Sequence, residues 1–184
     1  MKKSTIIILA IIGLAIVLFI GGYNGLVSKS EAVTTSLANL DVTLQRRADL
    51  IPNLVNTVKG YTTHETEIID KITSARAKLT SANTIDEKSS ANNDLSNSLN
   101  ALMLVVENYP DLKSSQNFIQ LSDELAGTEN RISVARKDYN EAVESYNLSV
   151  KRFPNNLLAG LFGFEKADYF AANETSKEVP IVEF

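Results

Sequence analysis

The sequence predicts an all-α protein, with an N-terminal transmembrane helix followed by an antiparallel bundle of three to four long helices. Three observations carry that reading. Ser4 to Ser28 contains no charged residue, and Ile6 to Ile20 is apolar apart from Gly13. Downstream, apolar residues recur at spacings of three and four, the stripe of a core-facing helix. Prolines occur only at positions 52, 110, 154 and 180, and no segment alternates with the period of two that a half-buried strand requires.

As a helix, the charge-free run reaches about 37 Å, longer than a hydrocarbon core of roughly 30 Å. A cleaved secretory signal begins in the same way, with lysines and an apolar stretch. Its apolar region is only about 7–15 residues long, and it ends at a small-residue cleavage site. No A-x-A site follows this run, Gly21-Gly22 being the only small-residue candidate, and with no cysteine in the chain lipoprotein processing is excluded. Residues 1–28 therefore read as an uncleaved single-pass membrane anchor, with residues 4–28 contacting the lipid bilayer. Lys2 and Lys3 favour a cytoplasmic N-terminus.

The first bundle helix is predicted from Tyr23 to Lys59, with Leu26, Val33, Leu37, Leu40, Leu44, Ile51, Leu54 and Val58 in register. The register continues across Pro52, which implies a kinked or restarted helix, and Asp49 is placed to cap a restart. Gly60 ends it. Thr62-x-x-Glu65 has the pattern of a capping box and predicts the start of a second helix, with Ile68, Ile69, Ile72, Ala75 and Leu79 inward. Thr84-x-x-Glu87 is a second capping box, opening a helix with Leu95, Leu99, Leu102, Val105 and Val106 inward. Whether residues 62–108 form one kinked helix or a hairpin is open at this level. Asn108-Tyr109-Pro110-Asp111 is a turn.

The longest helix is expected over roughly 114–153. Phe118, Leu125, Ile132, Tyr139, Tyr146 and Phe153 recur every seven residues, and Leu121, Thr128, Ala135, Ala142 and Ser149 fill the other seam position. A dimeric coiled coil fits this pattern. An intramolecular bundle helix fits better, because other apolar stripes in the same chain can receive it. The apolar segment Leu157–Phe164 reads as a short element covering one end of the bundle, rather than a membrane-surface helix, because it lacks a basic polar face. Residues 29–170 form the expected bundle domain and residues 171–184 a flexible tail.

Composition narrows the chemistry. There are 18 basic and 22 acidic residues, one histidine, and no cysteine or tryptophan. Disulfides, thiolate metal sites and cysteine nucleophiles are excluded, as is any site needing two imidazoles. The acidic balance disfavours nucleic acid. His64-Glu65 lacks the second histidine of H-E-x-x-H, since position 68 is Ile. Glu107, Asp111, Glu124 and Glu129 are not accompanied by the Glu-x-x-His pairs of a di-metal bundle. Glu67 and Asp70 read as a solvated face. No phosphate-binding loop, dinucleotide fingerprint or nucleophile elbow occurs. No catalytic residue, metal or cofactor is predicted. The residue that stands out is Arg47, which occupies the apolar register between Leu44 and Ile51. A buried arginine needs a carboxylate or carbonyl partner. Glu129, beside the seam residue Thr128, is the preferred acid and Glu107 the alternative. Carbonyls freed by Pro52 are a further candidate partner.

Several motifs now resemble the bacterial LemA family in order and spacing. They are Tyr23-Asn24-Gly25-Leu26-Val27, the run Leu44-Gln45-Arg46-Arg47-Ala48-Asp49-Leu50-Ile51-Pro52-Asn53-Leu54-Val55, Val58-Lys59-Gly60-Tyr61 and His64-Glu65. Glu107-Asn108-Tyr109-Pro110-Asp111-Leu112-Lys113, Thr128-Glu129-Asn130-Arg131-Ile132, Ala135-Arg136, Tyr139-Asn140, Tyr146-Asn147 and Phe153-Pro154 continue the likeness over about residues 23–170. The resemblance implies an N-terminally anchored helical bundle without an assigned enzyme activity. Its polar motif residues are Arg46, Arg47, Asp49, Pro52, Asn53, His64, Glu65, Glu107, Tyr109, Pro110, Glu129, Asn130, Arg131, Tyr139 and Asn140. It also implies an N-terminus outside and a domain in the cytoplasm, opposite to the lysine reading, so the orientation stays open. The expected function is that of a non-enzymatic interaction or scaffold protein at the cell envelope, with unidentified protein partners and a possible homo-oligomer. The alternative is an enzyme or enzyme accessory using a polar inter-helix pocket.

Overall fold

The computed structural model describes residues 3–62 and 65–171. The predicted tail from 172 onward and His64 lie outside the described residues. Among the described residues there are six helices and no strand: α1 (Lys3–Lys59), α2 (Thr66–Ser81), α3 (Ile85–Val106), α4 (Pro110–Lys113), α5 (Gln116–Lys151) and α6 (Asn155–Phe162). The protein is all-α, as its periodicity requires.

α1 is one helix of 57 residues that begins in the apolar run and continues through Pro52. The expected restart is absent. Asp49 caps nothing; it accepts a hydrogen bond from Gln45 Nε2 at 2.8 Å, one turn upstream. Proline at position 52 removes the donor that would close the bond to the carbonyl of Ala48. That carbonyl accepts instead from Arg76 Nε of α2 at 2.7 Å. The helix continues because a second helix supplies the missing donor, and the guanidinium that does so is Arg76 rather than Arg47.

The second start signal behaves differently from its pattern. α2 begins at Thr66, and its N-cap, Glu65, makes no side-chain cap bond. The Glu65 carboxylate is taken by the Tyr109 hydroxyl at 2.8 Å, so the Thr62–Glu65 box does not form. The Thr84–Glu87 box forms in both directions and opens α3. α2 and α3 are separate helices joined through residues 82–84, which resolves residues 62–108 as a hairpin. The Lys78–Asp94 ion pair at 3.0 Å ties its two arms.

α5 stops at Lys151, and Phe153 is 80% exposed, so the last heptad position is not a core residue. The following proline disfavours helical backbone at Phe153. Of the earlier large positions Phe118, Ile132, Tyr139 and Tyr146 are buried, and Leu125 is half-buried.

The described residues fall into two compact units: those up to Ala38 with Asp138–Asp168, and Asn39–Lys137 with the segment from Tyr169. In the second unit Leu40, Leu44, Ala48, Ile51, Leu54 and Val58 of α1 are buried, as are Ile69 and Ile72 of α2 and Leu95 and Leu102 of α3. In the first unit Leu26 packs with Leu158 and Ala159 of α6, supported by Val150 and Phe164. Lys29 Nζ donates to the Ser145 carbonyl and hydroxyl at 3.2 and 3.1 Å. Asn147 holds Ala167 through both backbone groups at 2.9 Å, and the Tyr139 hydroxyl donates to the Asp168 carbonyl at 2.8 Å.

Candidate functional site

One short stretch of α1, Arg46 to Ala48, engages three other helices of the second unit. Arg46 pairs with Glu124 of α5, both partly exposed. Ala48 receives Arg76 of α2. Arg47 is 4% exposed and points inward from the apolar stripe. Its Nη1 donates to Asn92 Oδ1 at 2.7 Å and to Ser96 Oγ at 3.0 Å, both on α3. The same nitrogen lies 2.8 Å from Glu129 Oε2 of α5. Both hydrogens of Nη1 are already directed at Asn92 and Ser96, so the contact with Glu129 is coulombic rather than an aligned hydrogen bond.

Burial pushes the Arg47 guanidinium below its ordinary value, and the Glu129 charge partly opposes the shift. Removing a cation from water is expensive unless partners replace the lost solvation. Here two neutral oxygens and one half-exposed carboxylate do so. Among the described residues, Arg47 Nε, Ser122 Oγ and Glu129 Oε2 are buried without a hydrogen-bond partner. All three residues line a cleft of about 290 Å³ whose other walls include Leu54, Leu99, Met103 and Leu125. The cleft has apolar walls and a cationic floor. It offers hydroxyls, one guanidinium and a carboxylate already matched to that guanidinium. Among the described residues no group of acidic or imidazole side chains is arranged to hold a metal ion.

The remaining motif residues are distributed more widely. Pro52 and Asn53 are exposed on α1. Glu107 pairs with Lys113 at 2.6 Å and not with Arg47. Pro110 opens α4 at its first turn, where a missing N–H costs nothing. Asn130 and Arg131 are exposed, Asn140 is half-buried, and Tyr139 belongs to the first unit. Asn92, Ser96, Ser122 and Arg76 were not singled out by the sequence. Asn92 had a signal, since it stands three residues before Leu95 and seven before Leu99 and so continues the apolar stripe of α3.

The model of the LemA family matches residues 36–184, which include Arg46, Arg47, Glu124 and Glu129. The chain belongs to the LemA family. It is 28% identical to magnetosome protein MamQ 2 of Paramagnetospirillum magneticum, over 87% of this chain and 68% of that protein. It is 26% identical to magnetosome protein MamQ of Magnetospirillum gryphiswaldense, over 96% and 75% respectively. Protein LemA of Metamycoplasma hominis is 26% identical over 90% of this chain and 76% of its own. None of these names is that of an enzyme.

Proposed function

We propose that this LemA-family chain is a membrane-tethered, non-enzymatic scaffold at the bacterial cell envelope, holding its helical units at the bilayer for protein partners. The observation that carries the reading is the continuity of α1. Its N-terminal part is apolar around its whole circumference, and Ile6, Ile11, Leu14, Val17 and Leu18 are all more than half exposed. A helix that is hydrophobic all round belongs in a core or a bilayer, and none of its most apolar window is buried among the described residues. It is the one helix among the described residues that is long and apolar enough to cross a membrane. The same helix then supplies Leu40 to Val58 to the second unit without a break.

Crosslinked co-purification from detergent-solubilised membranes, followed by mass spectrometry, tests the proposal. Crosslinks from the exposed charged faces, such as those carrying Glu67, Asp70 and Lys71, to reproducible protein partners support it. A chain that crosslinks only to itself argues for a homo-oligomer and against a scaffold for other proteins. Protease added to intact spheroplasts reads the orientation, for which Lys2 and Lys3 predict helical units outside.

A further inference from the structure

The short helix α6 closes against α1 next to the apolar run, and its packing leaves an apolar edge uncovered. Leu158 and Ala159 are buried with Leu26. The Phe162 ring stands 4.9 Å from Tyr23 and 5.8 Å from Phe19, both edge-on, and Phe164 stands 5.9 Å from Tyr23. Gly22 makes the approach close: a Cβ there would meet Leu158 Cδ1 at 2.7 Å and Asn155 Oδ1 at 3.0 Å. On the other edge Leu157 and Leu161, one turn apart, are 64% and 70% exposed. Phe153, just before the helix, is also exposed.

The depth of this contact follows from helix geometry. A hydrocarbon core of roughly 30 Å takes about 20 helical residues. The charge-free run is longer than that by several residues, so the far boundary of the core falls within its last two turns. Those turns hold Gly22, Tyr23 and Leu26, and Phe19 lies one turn further into the run; these are the residues α6 packs against. Tyr23 stands where aromatic side chains favour the interface. Lys151 and Arg152, exposed immediately upstream of α6, supply the cations that its own uncharged sequence lacks.

We infer that α6 is a second membrane contact, lying at the lipid–water boundary beside the span with Leu157 and Leu161 against the acyl chains and Lys151-Arg152 toward the headgroups. The inference rests on the anchor reading given above. It makes the occupant of the exposed edge lipid rather than protein, because Phe162 reaches Phe19 within the run that the bilayer itself covers. The buried residues of α6 cover Leu26, as expected of a short covering element, and on this inference its outer edge faces the membrane.

The chain has no tryptophan, so single tryptophans report without background. Full-length Leu161→Trp and Leu14→Trp are reconstituted in phosphatidylcholine–phosphatidylglycerol vesicles whose acyl chains are brominated at shallow or deep positions. Leu14→Trp emission should be quenched most by deep bromines. Leu161→Trp emission should be blue-shifted, quenched most by shallow bromines and shielded from iodide. Leu157→Trp repeats the reading at a second exposed site, should either substitution disturb packing. A Leu161→Trp emission that is insensitive to bromine, whether iodide-accessible or covered by protein, overturns the inference while leaving the anchor intact if Leu14→Trp is quenched. Loss of bromine quenching at both positions overturns the anchor reading and the inference with it.

Discussion

Replacing Arg47 with leucine removes a buried cation from a stripe otherwise made of apolar side chains, and the structure sets the cost. Asn92 is 2% exposed, so its Oδ1 loses a donor at 2.7 Å that water cannot replace. An unsatisfied buried acceptor costs about 1–3 kcal/mol, and hydrogen bonds to charged groups lie toward the upper end of the usual scale. Ser96 keeps its bond to the Asn92 carbonyl. The Glu129 side chain is 43% exposed, but its Oε2, the oxygen that faces Arg47, is buried without a hydrogen-bond partner, so only part of the cost of about 3–5 kcal/mol for a broken buried pair applies. Leucine also refills much of the volume. The sum is a destabilisation of about 2–4 kcal/mol. Arg46→Leu breaks only a partly exposed pair with Glu124 and should cost less than about 1 kcal/mol. Arg47→Leu combined with Asn92→Leu should recover part of the loss, because replacing both partners by apolar groups leaves nothing unsatisfied. Denaturant melts of the detergent-solubilised full chain, followed by far-ultraviolet circular dichroism, measure all of these. Equal midpoints for Arg46→Leu and Arg47→Leu would refute the reasoning.

Three other outcomes are expected. Arg76→Leu should destabilise by about 1–2 kcal/mol in the native sequence and by about 1 kcal/mol less in a Pro52→Ala background, where Ala48 regains its helical donor; a double-mutant cycle with no coupling would show that Arg76 does not serve that carbonyl. The backbone N–H groups of Thr84 and Asn83 hold the Glu87 carboxyl below its ordinary value. A depressed carboxyl contributes stability above its unfolded value and loses it as pH falls through the folded one, so the gap between the melts of the native chain and Glu87→Ala should be full at neutral pH and shrink below the ordinary value of 4.5. Addition of a chelator should leave the melting temperature unchanged, and a downward shift would point to a bound metal.

What the sequence made legible was mainly local. The stripe from Leu40 to Val58 and the Thr84–Glu87 box depend on residues within one or two turns of each other, and both appear in the structure as read. The misreadings have a common cause in partners distant along the chain. Glu65 fits a capping box by spacing, but Tyr109, 44 residues away, takes its carboxylate. Pro52 suggests a break, yet Arg76, 28 residues from Ala48, repairs the bond that proline removes. The candidate site is intermediate. Arg47 was visible as a charge in an apolar register, and Glu129 could be ranked from its place beside the Thr128 seam. Asn92 carried a signal in its place on the apolar stripe of α3, whereas Ser96 was not distinguishable from the other small polar residues of that helix until packing turned it toward Arg47.

The central claim is that residues 4–28 hold the chain in a bilayer, and carbonate washing of membranes tests it most directly. The native full-length chain should stay in the pellet. Ile11→Arg combined with Leu14→Arg places two cations near the centre of the run, each costing about 3 kcal/mol there on insertion scales, and should move the chain to the supernatant with its helical circular dichroism retained. Release of the native chain by carbonate, or recovery of a soluble chain beginning near Tyr23, would contradict the account.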